Sequence, residues 1–352
     1  MTIKQRDLVL VTGAGGWLGR RVVRALTEGH PEMKLVGAGG HRVRILVRPA
    51  EKVDDLLALQ VEKVQGDLRD PVAVRSFTTD AAGATLIHLA GVIHPTRGTR
   101  EFTEVNVEGT KTVITEAGKA GVRRAIVMSS NSPIGVSRNP FELFDEESPY
   151  APYMCYGRSK QAMEEWLCTG ASNKNLPQIT IVRAPWFYGP EQPARQTRFF
   201  SLVKAGRFPI VGDGHNRRSM GYVDSLAYGI LLTAQAPQAA GKIYWLADER
   251  PYLMKEIVDT VREVLRNDFG MTVKPKTIQV PGIISDLARL GDRMLQGVGL
   301  YNQELHVLSE MNLTIACTID RAKQELGYKP LVDLREGMRR SIQWCLDKGI
   351  EI

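Results

Sequence analysis

The chain has 352 residues, of which 43% are hydrophobic and 24% are charged, and its formal net charge is +7. This composition excludes an intrinsically disordered chain, and the length predicts two domains or one domain with a large elaboration. No dense run of Lys or Arg concentrates the positive charge, so we expect no nucleic-acid partner; a solvated surface is the simplest explanation, and attraction of an anionic ligand is the functional one.

The cysteines and the N-terminal sequence indicate the cellular compartment in which the protein is expected. No CxxC pair and no metal-ligand spacing occur among the four cysteines, which are Cys155, Cys168, Cys317 and Cys345. The N-terminus leads into a strand-like run with no room for a signal peptide. We therefore predict free thiols, no metal and a cytoplasmic location.

An apolar stretch at 281–300 raises the question of a membrane. Its charges, Asp286 and Arg289 among them, exclude a spanning helix. Five apolar residues recur there at helical spacing, namely Ile283, Ile284, Leu287, Leu290 and Met294. We predict that this face packs into the core, with a membrane-resting face as the less favoured alternative, and we expect no membrane partner.

In the first half of the chain, short apolar runs alternate with amphipathic stretches. The strand-like runs lie at 8–11, 43–47, 85–89, 125–128 and 180–182, and helical patterns such as 20–28 and 108–120 lie between them. Alternating strands and helices form right-handed βαβ units, and runs of Val, Ile and Leu indicate strands covered on both faces. The sequence therefore predicts an α/β fold with a doubly wound parallel sheet of the Rossmann type.

After Pro185, prolines and glycines become frequent. Two further strand-like runs lie at 243–246 and 273–280, and helical patterns lie at 304–312 and 334–347. This texture predicts a smaller, partly discontinuous α+β domain that binds the substrate. We assign 1–185 to the Rossmann domain, with returning segments near 220–247 and 305–325, and we assign 186–219, 248–304 and 326–352 to the substrate domain.

The strongest motif is the glycine-rich run TGAGGWLG at 12–19, which follows the first strand and opens the first helix. Glycine lets the backbone turn tightly and approach a pyrophosphate, and the helix N-terminus offers unpaired N–H groups to that anion. A bare tight turn is the alternative. The predicted cofactor-binding residues here are Gly13, Gly15, Gly16, Trp17, Leu18 and Gly19.

The end of the second strand is expected to contact the adenosine ribose. It reads Leu46-Val47-Arg48-Pro49 and has no acidic residue to bind the 2′-hydroxyl of NAD. A guanidinium suits a 2′-phosphate, so Arg48 favours NADP, with NAD as the alternative if Arg48 only stacks on adenine. The gap from Gly19 to Arg48 is long, which makes residues 29–42 an apparent inserted loop.

Two further strand ends offer cofactor contacts. Asp67 and Leu68 follow the third strand, and Ala90 and Gly91 follow the fourth. An Asp can accept a hydrogen bond from the adenine amino group, although Asp67 is equally suited to cap a helix. We predict that these four residues bind the cofactor, and that His88 belongs to the core.

A candidate catalytic set combines a strand end with a helix. Tyr156 and Lys160 are four residues apart, so they share one helix face, and a nearby ammonium lowers the pKa of a phenol. Ser130 ends an apolar strand, where its hydroxyl can hydrogen-bond a reacting carbonyl oxygen. Glycine loop, serine and Tyr/Lys pair occur in the order that one active site needs.

Over most of its length the sequence resembles the extended short-chain dehydrogenase/reductase family, also called the NAD-dependent epimerase/dehydratase family. The resemblance is carried by TGAGGWLG at 12–19, GDL at 66–68, HLAG at 88–91, NVEGT at 106–110, SSNSPIG at 129–135, YGRSK at 156–160, RAPWFYGP at 183–190, RRSMGYVDSLAYG at 217–229 and DRAKQELGYKP at 320–330. The stretch 302–330 is similar to the 3β-hydroxysteroid dehydrogenase-like branch.

The resemblance implies roles for individual residues. Tyr156 resembles the general acid/base, Lys160 the residue that holds the nicotinamide ribose, and Ser130 the catalytic hydroxyl. Pro185 and its neighbours match the segment that flanks the nicotinamide. The predicted substrate-binding residues are Ser130, Asn131, Trp186, Arg195, Arg198 and Arg218. The resemblance also implies a homodimer formed through helices near 106–120 and 156–169.

Departures from the family pattern narrow the reaction. Asn131 and Ser132 stand where family dehydratases carry an Asp-Glu pair, and Trp186 replaces an Asn that many sugar-nucleotide epimerases use. An apolar pocket is predicted from Trp186, Phe187, Tyr188, Phe199 and Phe200. We predict a nicotinamide-dependent reductase or dehydrogenase that interconverts a ketone and a secondary alcohol. The arginines at 195, 198, 217 and 218 keep a sugar-nucleotide epimerase as the alternative, and a non-catalytic NADP sensor is a distant third.

Overall fold

The computed structural model describes residues 7–33, 39–137, 139–170 and 173–352. The elements of the first half are β1 (Leu8–Thr12), α1 (Trp17–Thr27), β2 (Arg42–Val47), α2 (Asp54–Leu57), β3 (Glu62–Gln65), α3 (Pro71–Thr78), β4 (Thr85–His88), α4 (Thr110–Lys119), β5 (Arg124–Met128), α5 (Met154–Gly170) and β6 (Gln178–Arg183). The second half contains β7 (Trp186–Tyr188), α6 (Ala194–Lys204), β8 (Pro209–Val211), β9 (Arg217–Arg218), β10 (Met220–Tyr222), α7 (Val223–Gln235), β11 (Ile243–Trp245), β12 (Tyr252–Leu253), α8 (Met254–Glu263), β13 (Ile278–Val280), α9 (Gly282–Gly297), α10 (Gln303–Glu310), α11 (Asp320–Leu326) and α12 (Leu334–Asp347).

The largest sheet in the described ranges has seven strands in the order β3–β2–β1–β4–β5–β6–β11, and all of its neighbouring pairs are parallel. Buried apolar residues cover both faces, with α1 and α7 on one side and α3, α4 and α5 on the other. This arrangement confirms the predicted doubly wound α/β fold. From β1 the strand order runs outward through β2 and β3 on one side and through β4, β5 and β6 on the other, so the order reverses between β1 and β4. Ligands of such sheets bind at the carboxyl ends of the strands beside this point.

A separate apolar core lies in the second half of the chain. It is built from residues of β7, α6, β10, α8 and α12, including Tyr188, Phe200 and Val258. Three two-stranded sheets, β7–β10, β9–β12 and β8–β13, belong to this part of the described chain. The assignment of the individual segments to two domains stays a prediction.

Two elements differ from the sequence prediction. The strand expected at 273–280 is limited to Ile278–Val280, because Pro275 has no backbone N–H to donate to a partner strand. The helix expected at 108–120 is extended toward the N-terminus by a π-helical segment, Phe102–Gly109, which leads directly into α4.

The prediction that the apolar face of 281–300 packs into the core is wrong. In α9 the side chains of Leu287 and Met294 are 58% and 63% exposed, while Ser285, Asp292 and Gln296 are buried. Helical spacing shows which residues share a face, but it does not show which face points inward. In the described part of the chain, no helix is both long enough and apolar enough to cross a membrane.

A buried ion pair joins α5 to the ends of two central strands. Glu164 of α5 accepts a hydrogen bond from the Nη2 atom of Arg183 at 2.7 Å, and both side chains are almost fully buried. The same carboxylate accepts hydrogen bonds from the hydroxyls of Ser129 at 2.5 Å and Tyr150 at 2.9 Å. Glu164 therefore connects α5 with the ends of β5 and β6.

Glu164→Gln is expected to lower the free energy of unfolding by roughly 3–5 kcal/mol, because it leaves the buried guanidinium of Arg183 without a counter-charge. Glu165→Gln is the matched control, since Glu165 is the next residue on the same helix and is exposed. The control should change stability by no more than about 0.5 kcal/mol. Urea unfolding of the two variants measures the difference, and equal effects would contradict the importance assigned to the pair.

Candidate active site

The glycine loop between β1 and α1 is held tightly against the end of β4. Gly13 has φ +71°, and a Cβ atom added there would lie 2.6 Å from the backbone nitrogen of Ala90. A Cβ atom at Gly19 would lie 2.1 Å from the carbonyl oxygen of Gly13. Only glycine fits at these two positions, and α1 begins directly after the loop with its N-terminus at the sheet edge. This cradle fits the pyrophosphate of a dinucleotide.

The side chains of the loop have structural partners. The indole Nε1 of Trp17 donates to the carbonyl oxygen of Pro190 at 2.7 Å, and its ring contacts Phe187. Leu18 is buried in the core below the loop. Because these two side chains already have partners within the protein, Trp17 and Leu18 could contact a cofactor mainly through their backbone N–H groups.

Opposite charges meet at the end of β2. The Arg48 side chain is 70% exposed there, so its guanidinium is accessible to a ligand. Glu51, which sequence reasoning missed, accepts a hydrogen bond from the Arg48 backbone N–H at 3.2 Å. Its Oε1 atom lies 2.4 Å from the position that a Cβ atom would take at Gly15. An acidic group thus lies against the glycine loop. The apparent inserted loop at 29–42 lies partly outside the described residues.

The predicted adenine contact at Asp67 has a partner of its own. Asp67 accepts hydrogen bonds from the backbone and the guanidinium of Arg69, and this interaction lowers the pKa of the carboxyl. The cap of α3 is Asp70 instead, which accepts from the backbone N–H of Val72. Leu68 packs against Gly109, where a Cβ atom would overlap the leucine side chain.

His88 lies in the core. Its ring nitrogens hydrogen-bond the hydroxyls of Thr12 at 2.7 Å and Thr110 at 2.9 Å. Burial lowers the pKa of His88 to about 3, so the imidazole is neutral. It therefore joins β1, β4 and α4 and has no free ring nitrogen for catalysis.

Ser130 and Tyr156 meet at the end of β5. Ser130 is buried, Tyr156 is partly buried, and the two side chains interact. Burial raises the pKa of Tyr156 to about 12, while the hydrogen bond to Ser130 acts in the opposite direction. The phenol therefore keeps its proton at neutral pH and is a proton donor. Asn131 is buried beside Ser130 and accepts from its hydroxyl at 3.3 Å.

Lys160 lies one helical turn after Tyr156. Its Nζ atom donates to the carbonyl oxygen of Met128 at 3.0 Å and lies beside Gly91. Burial lowers the pKa of Lys160 to about 8, and the charge of Glu164 opposes that shift. The sequence predicts that Lys160 lowers the pKa of Tyr156, but burial of the phenol dominates and raises that pKa.

Asn106 is a buried residue whose role the sequence reasoning missed. Its side-chain amide bonds the backbone N–H and carbonyl oxygen of Val92 at 2.8 and 3.0 Å, and it also donates to the Ser159 hydroxyl at 3.1 Å. It thereby fixes the segment after β4 to the helix that carries Tyr156 and Lys160. The NVEGT run at 106–110 was the available signal, but it identified only the resemblance.

On the substrate side, Arg218 and Trp186 form a stacked pair. The guanidinium carbon of Arg218 lies 4.6 Å from the Trp186 ring centroid, and Nη2 donates to the carbonyl oxygen of Glu310. Among the described residues, Nε and Nη1 of this buried arginine have no hydrogen-bond partner. Burial lowers the pKa of Arg218, and an anionic ligand group would satisfy both free donors.

Arg195 and Arg198 are both exposed on α6 but have different neighbours. Arg195 interacts with Tyr301 and His94, which line the same side as Tyr156. Arg198 is exposed on the helix surface. The predicted pocket lining from Tyr188, Phe199 and Phe200 is wrong, because these rings pack into the core of the second half of the chain. Phe199 and Phe200 lie on the side of α6 that packs against that core.

An aromatic wall stands next to Tyr156. Phe102 lies 5.7 Å from the ring of Tyr156 and 5.8 Å from that of Tyr301, measured between centroids. The Tyr301 hydroxyl and His94 Nδ1 are hydrogen-bonded at 2.8 Å. Behind this wall, His306 Nδ1 bonds the Asp292 carboxylate at 2.7 Å. This side of the site is therefore built by the α9–α10 segment, far from Tyr156 in sequence.

With this geometry established, comparison with known proteins identifies the family. The family model described as "NAD dependent epimerase/dehydratase family" matches residues 9–247, more than half of the chain. The chain belongs to the NAD-dependent epimerase/dehydratase family. It is therefore an enzyme of the short-chain dehydrogenase/reductase type, which uses a nicotinamide cofactor and acts on small molecules.

Several relatives in this family align over nearly the whole chain. The uncharacterized protein y4nL of Sinorhizobium fredii is 54% identical, covering 97% of this chain and 96% of that protein. A 2-alkyl-3-oxoalkanoate reductase of Stenotrophomonas maltophilia is 27% identical over 94% and 97% of the two chains. Mouse 3 beta-hydroxysteroid dehydrogenase type 7 is 26% identical over 95% and 94%. The similarity to the 3β-hydroxysteroid dehydrogenase-like branch is thus confirmed.

A solved structure of the family shares the fold. DesIV, a dTDP-glucose 4,6-dehydratase from Streptomyces venezuelae determined with NAD and TYD bound, superposes with a TM-score of 0.73, 24% identity and 97% coverage of both chains. At this identity the likeness concerns the fold.

The buried ammonium of Lys160 makes a pH dependence testable. We expect kcat/KM to fall as pH rises through about 8, because Lys160 loses its proton there and with it a positive charge beside the candidate cofactor site. A pH profile of the wild-type enzyme and of Lys160→Arg measures this limb. The arginine stays protonated, so an alkaline limb that is unchanged in the variant would assign the titration to another group.

Proposed function

We propose that this enzyme interconverts a ketone and a secondary alcohol by hydride transfer, with Tyr156, Ser130 and Lys160 as its catalytic residues. The observation that carries the proposal is their convergence at the carboxyl ends of β4 and β5. Ser130 lies close enough to Tyr156 to lower the pKa of the phenol, and Lys160 lies against Gly91 beside the glycine loop. A carbonyl oxygen placed between the two hydroxyls would receive a hydrogen bond from each.

When bound, a reduced nicotinamide cofactor would supply the hydride for the proposed reduction of the carbonyl carbon. Tyr156 gives its proton to the developing alkoxide, and Ser130 donates a hydrogen bond that stabilises the charge on that oxygen. Lys160 holds the cofactor ribose with its ammonium. The glycine loop with Gly13, Gly15, Gly16 and Gly19 holds the pyrophosphate, and Pro185 flanks the nicotinamide. Oxidation of the alcohol uses the same groups in reverse.

The substrate we propose is a ketone that also carries an anionic group, such as a 3-oxo acid. Arg218 supports this choice, because its buried guanidinium keeps two N–H donors that face no partner in the described residues. Trp186 below it offers an apolar surface. The resemblance to a 2-alkyl-3-oxoalkanoate reductase points in the same direction. Asn131 would contact the rest of the substrate, and Arg195 and Arg198, which are both exposed, would act at the entrance.

A sugar-nucleotide epimerase is the second candidate. Arg195 and Arg218 would also suit a pyrophosphate, and the shared fold includes UDP-glucose 4-epimerases. Against it, Trp186 offers no amide to hydrogen-bond a sugar hydroxyl. The family assignment and the complete Ser/Tyr/Lys set argue against the non-catalytic sensor that the sequence left as a distant third interpretation.

A side-by-side assay tests the proposal. A long-chain 3-oxo acid, a neutral aryl ketone and a UDP-hexose are each incubated with the reduced cofactor, and cofactor oxidation and products are followed. We expect the 3-oxo acid to be reduced most efficiently, and Tyr156→Phe to lower turnover by orders of magnitude while cofactor binding stays nearly intact. Epimerisation of the UDP-hexose without net cofactor oxidation would overturn the reductase assignment.

We propose NADP(H) as the cofactor because Arg48 is available for a 2′-phosphate, while Glu51 opposes that choice by placing a carboxylate beside Gly15. Fluorescence titration with NADPH and NADH should show tighter binding of NADPH. Arg48→Ala should erase most of the difference, on the order of 1–3 kcal/mol. Glu51→Gln should improve NADPH binding. If NADH binds more tightly and Glu51→Gln removes that preference, Glu51 binds the ribose and the cofactor is NAD.

A further inference from the structure

Helix α9 has the reverse of the usual surface pattern. Its outward face carries Leu287, Leu290 and Met294, which are 58%, 52% and 63% exposed, and its inward face carries polar residues. In the described ranges, most of the exposed large apolar side chains lie between 278 and 300. We call the set formed by Ile283, Ile284, Leu287, Leu290, Met294, Val298 and Leu300 the α9 face. Contiguous apolar surface of this kind marks an interaction site.

Hydrogen bonds on the inward side fix the orientation of α9. Asp292 bonds His306, Gln296 accepts from the backbone N–H of Cys155, and the Ser285 hydroxyl donates to carbonyl oxygens of α10. Burial disfavours the charged imidazole, but the hydrogen bond to Asp292 and the charge of Glu310 raise the pKa of His306. If α9 were rotated so that its apolar residues pointed inward, His306, the Cys155 backbone N–H and the α10 carbonyl oxygens would stay buried but lose these hydrogen bonds. The exposed face is therefore built into the fold.

The exposed charges on α9 and in the segment before it are positive, whereas Glu304, exposed on the neighbouring α10, is negative. Lys274 and Lys276 precede it and are exposed, and Arg293 is exposed on its flank. Arg289 pairs with Asp286 at 2.7 Å, so this pair is neutral. The other acidic group of the helix, Asp292, points inward to His306. The surface that this region presents is thus apolar with a basic border.

We propose that the α9 face docks on an anionic membrane surface, with the helix lying in the plane of the lipid headgroups. Apolar side chains enter the headgroup–acyl boundary and Lys/Arg side chains contact anionic lipids in such helices. A second copy of the chain fits less well, because two-fold pairing of the same face would bring its basic border against itself. Docking requires no spanning segment.

The position of the α9 face gives docking a consequence for catalysis. Leu300 is exposed on the face, and the next residue, Tyr301, stands in the wall beside Tyr156. Ile93 is exposed as well, and the next residue, His94, bonds Tyr301. The membrane would therefore lie at the substrate side of the site, where an amphipathic ketone could enter from the lipid. This consequence rests on the proposed function, whereas docking itself does not.

Vesicle co-sedimentation tests the proposal without any assay of activity. The full chain is mixed with vesicles of phosphatidylcholine alone or of equimolar phosphatidylcholine and phosphatidylglycerol. We expect binding to the anionic vesicles, weakened by salt. The double variant Leu287→Glu/Leu290→Glu should bind at least about tenfold more weakly, because it places two charges in the apolar boundary. Val72→Glu is the matched control, since Val72 is 66% exposed on α3, and its binding should not change.

Melting temperature and cofactor titration confirm that each variant is folded, and Arg293→Glu provides a second variant that alters only the basic border. That variant should weaken binding to the anionic vesicles. Failure of the wild-type chain to bind anionic vesicles, or equal binding by the wild type and the double variant, overturns the proposal. Light scattering that shows the double variant converting a dimer to a monomer, with vesicle binding unchanged, identifies the face as a contact between copies and also overturns it.

Discussion

The buried carboxylate of Glu164 holds together the elements that carry the candidate catalytic groups. It pairs with Arg183 at the end of β6 and accepts a hydrogen bond from Ser129, the residue before Ser130. Glu164 also lies on α5 one turn after Lys160 and two turns after Tyr156. Because these groups are buried, separating the ion pair would leave a charge buried without a partner, which is energetically costly. The pair therefore holds α5 and the ends of β5 and β6 in one arrangement. Preorganisation of this kind is what a hydrogen-bonding site for a developing oxyanion requires.

The cofactor edge depends on a second constraint, which is steric. Gly13 and Gly19 let the loop after β1 approach the start of the segment after β4, so little space separates the pyrophosphate cradle from Gly91 and Lys160. Asn106 fixes that segment to α5 through Val92 and Ser159. The proposed cofactor site and the candidate catalytic hydroxyls therefore lie at the same strand ends. A small displacement of the cofactor site or of the hydroxyls would move the substrate carbonyl away from its proton donor.

The sequence predicted what depends on local pattern. The run of apolar residues at β1 and the amphipathic period of α12 placed these elements correctly, and the glycine spacing and the Tyr156/Lys160 pair indicated the candidate site. It missed Glu164, Asn106 and Glu51, whose partners lie far away in sequence or across a loop. It also misjudged α9, because its polar inward face is satisfied by α10 and α5, and no local pattern reveals such partners. Long-range polar pairing is set by the packed fold, so periodicity alone does not give it.

Transfer of label from the cofactor to the product tests the proposed reaction most directly. A cofactor deuterated at C4 of the nicotinamide is supplied with a 3-oxo acid, and the product is examined by mass spectrometry. The proposed reduction places one deuterium on the carbinol carbon of each alcohol molecule and oxidises one cofactor for each product formed. Turnover of a substrate at that carbon without net cofactor oxidation, and with no deuterium retained from the added cofactor, would contradict the proposed reaction.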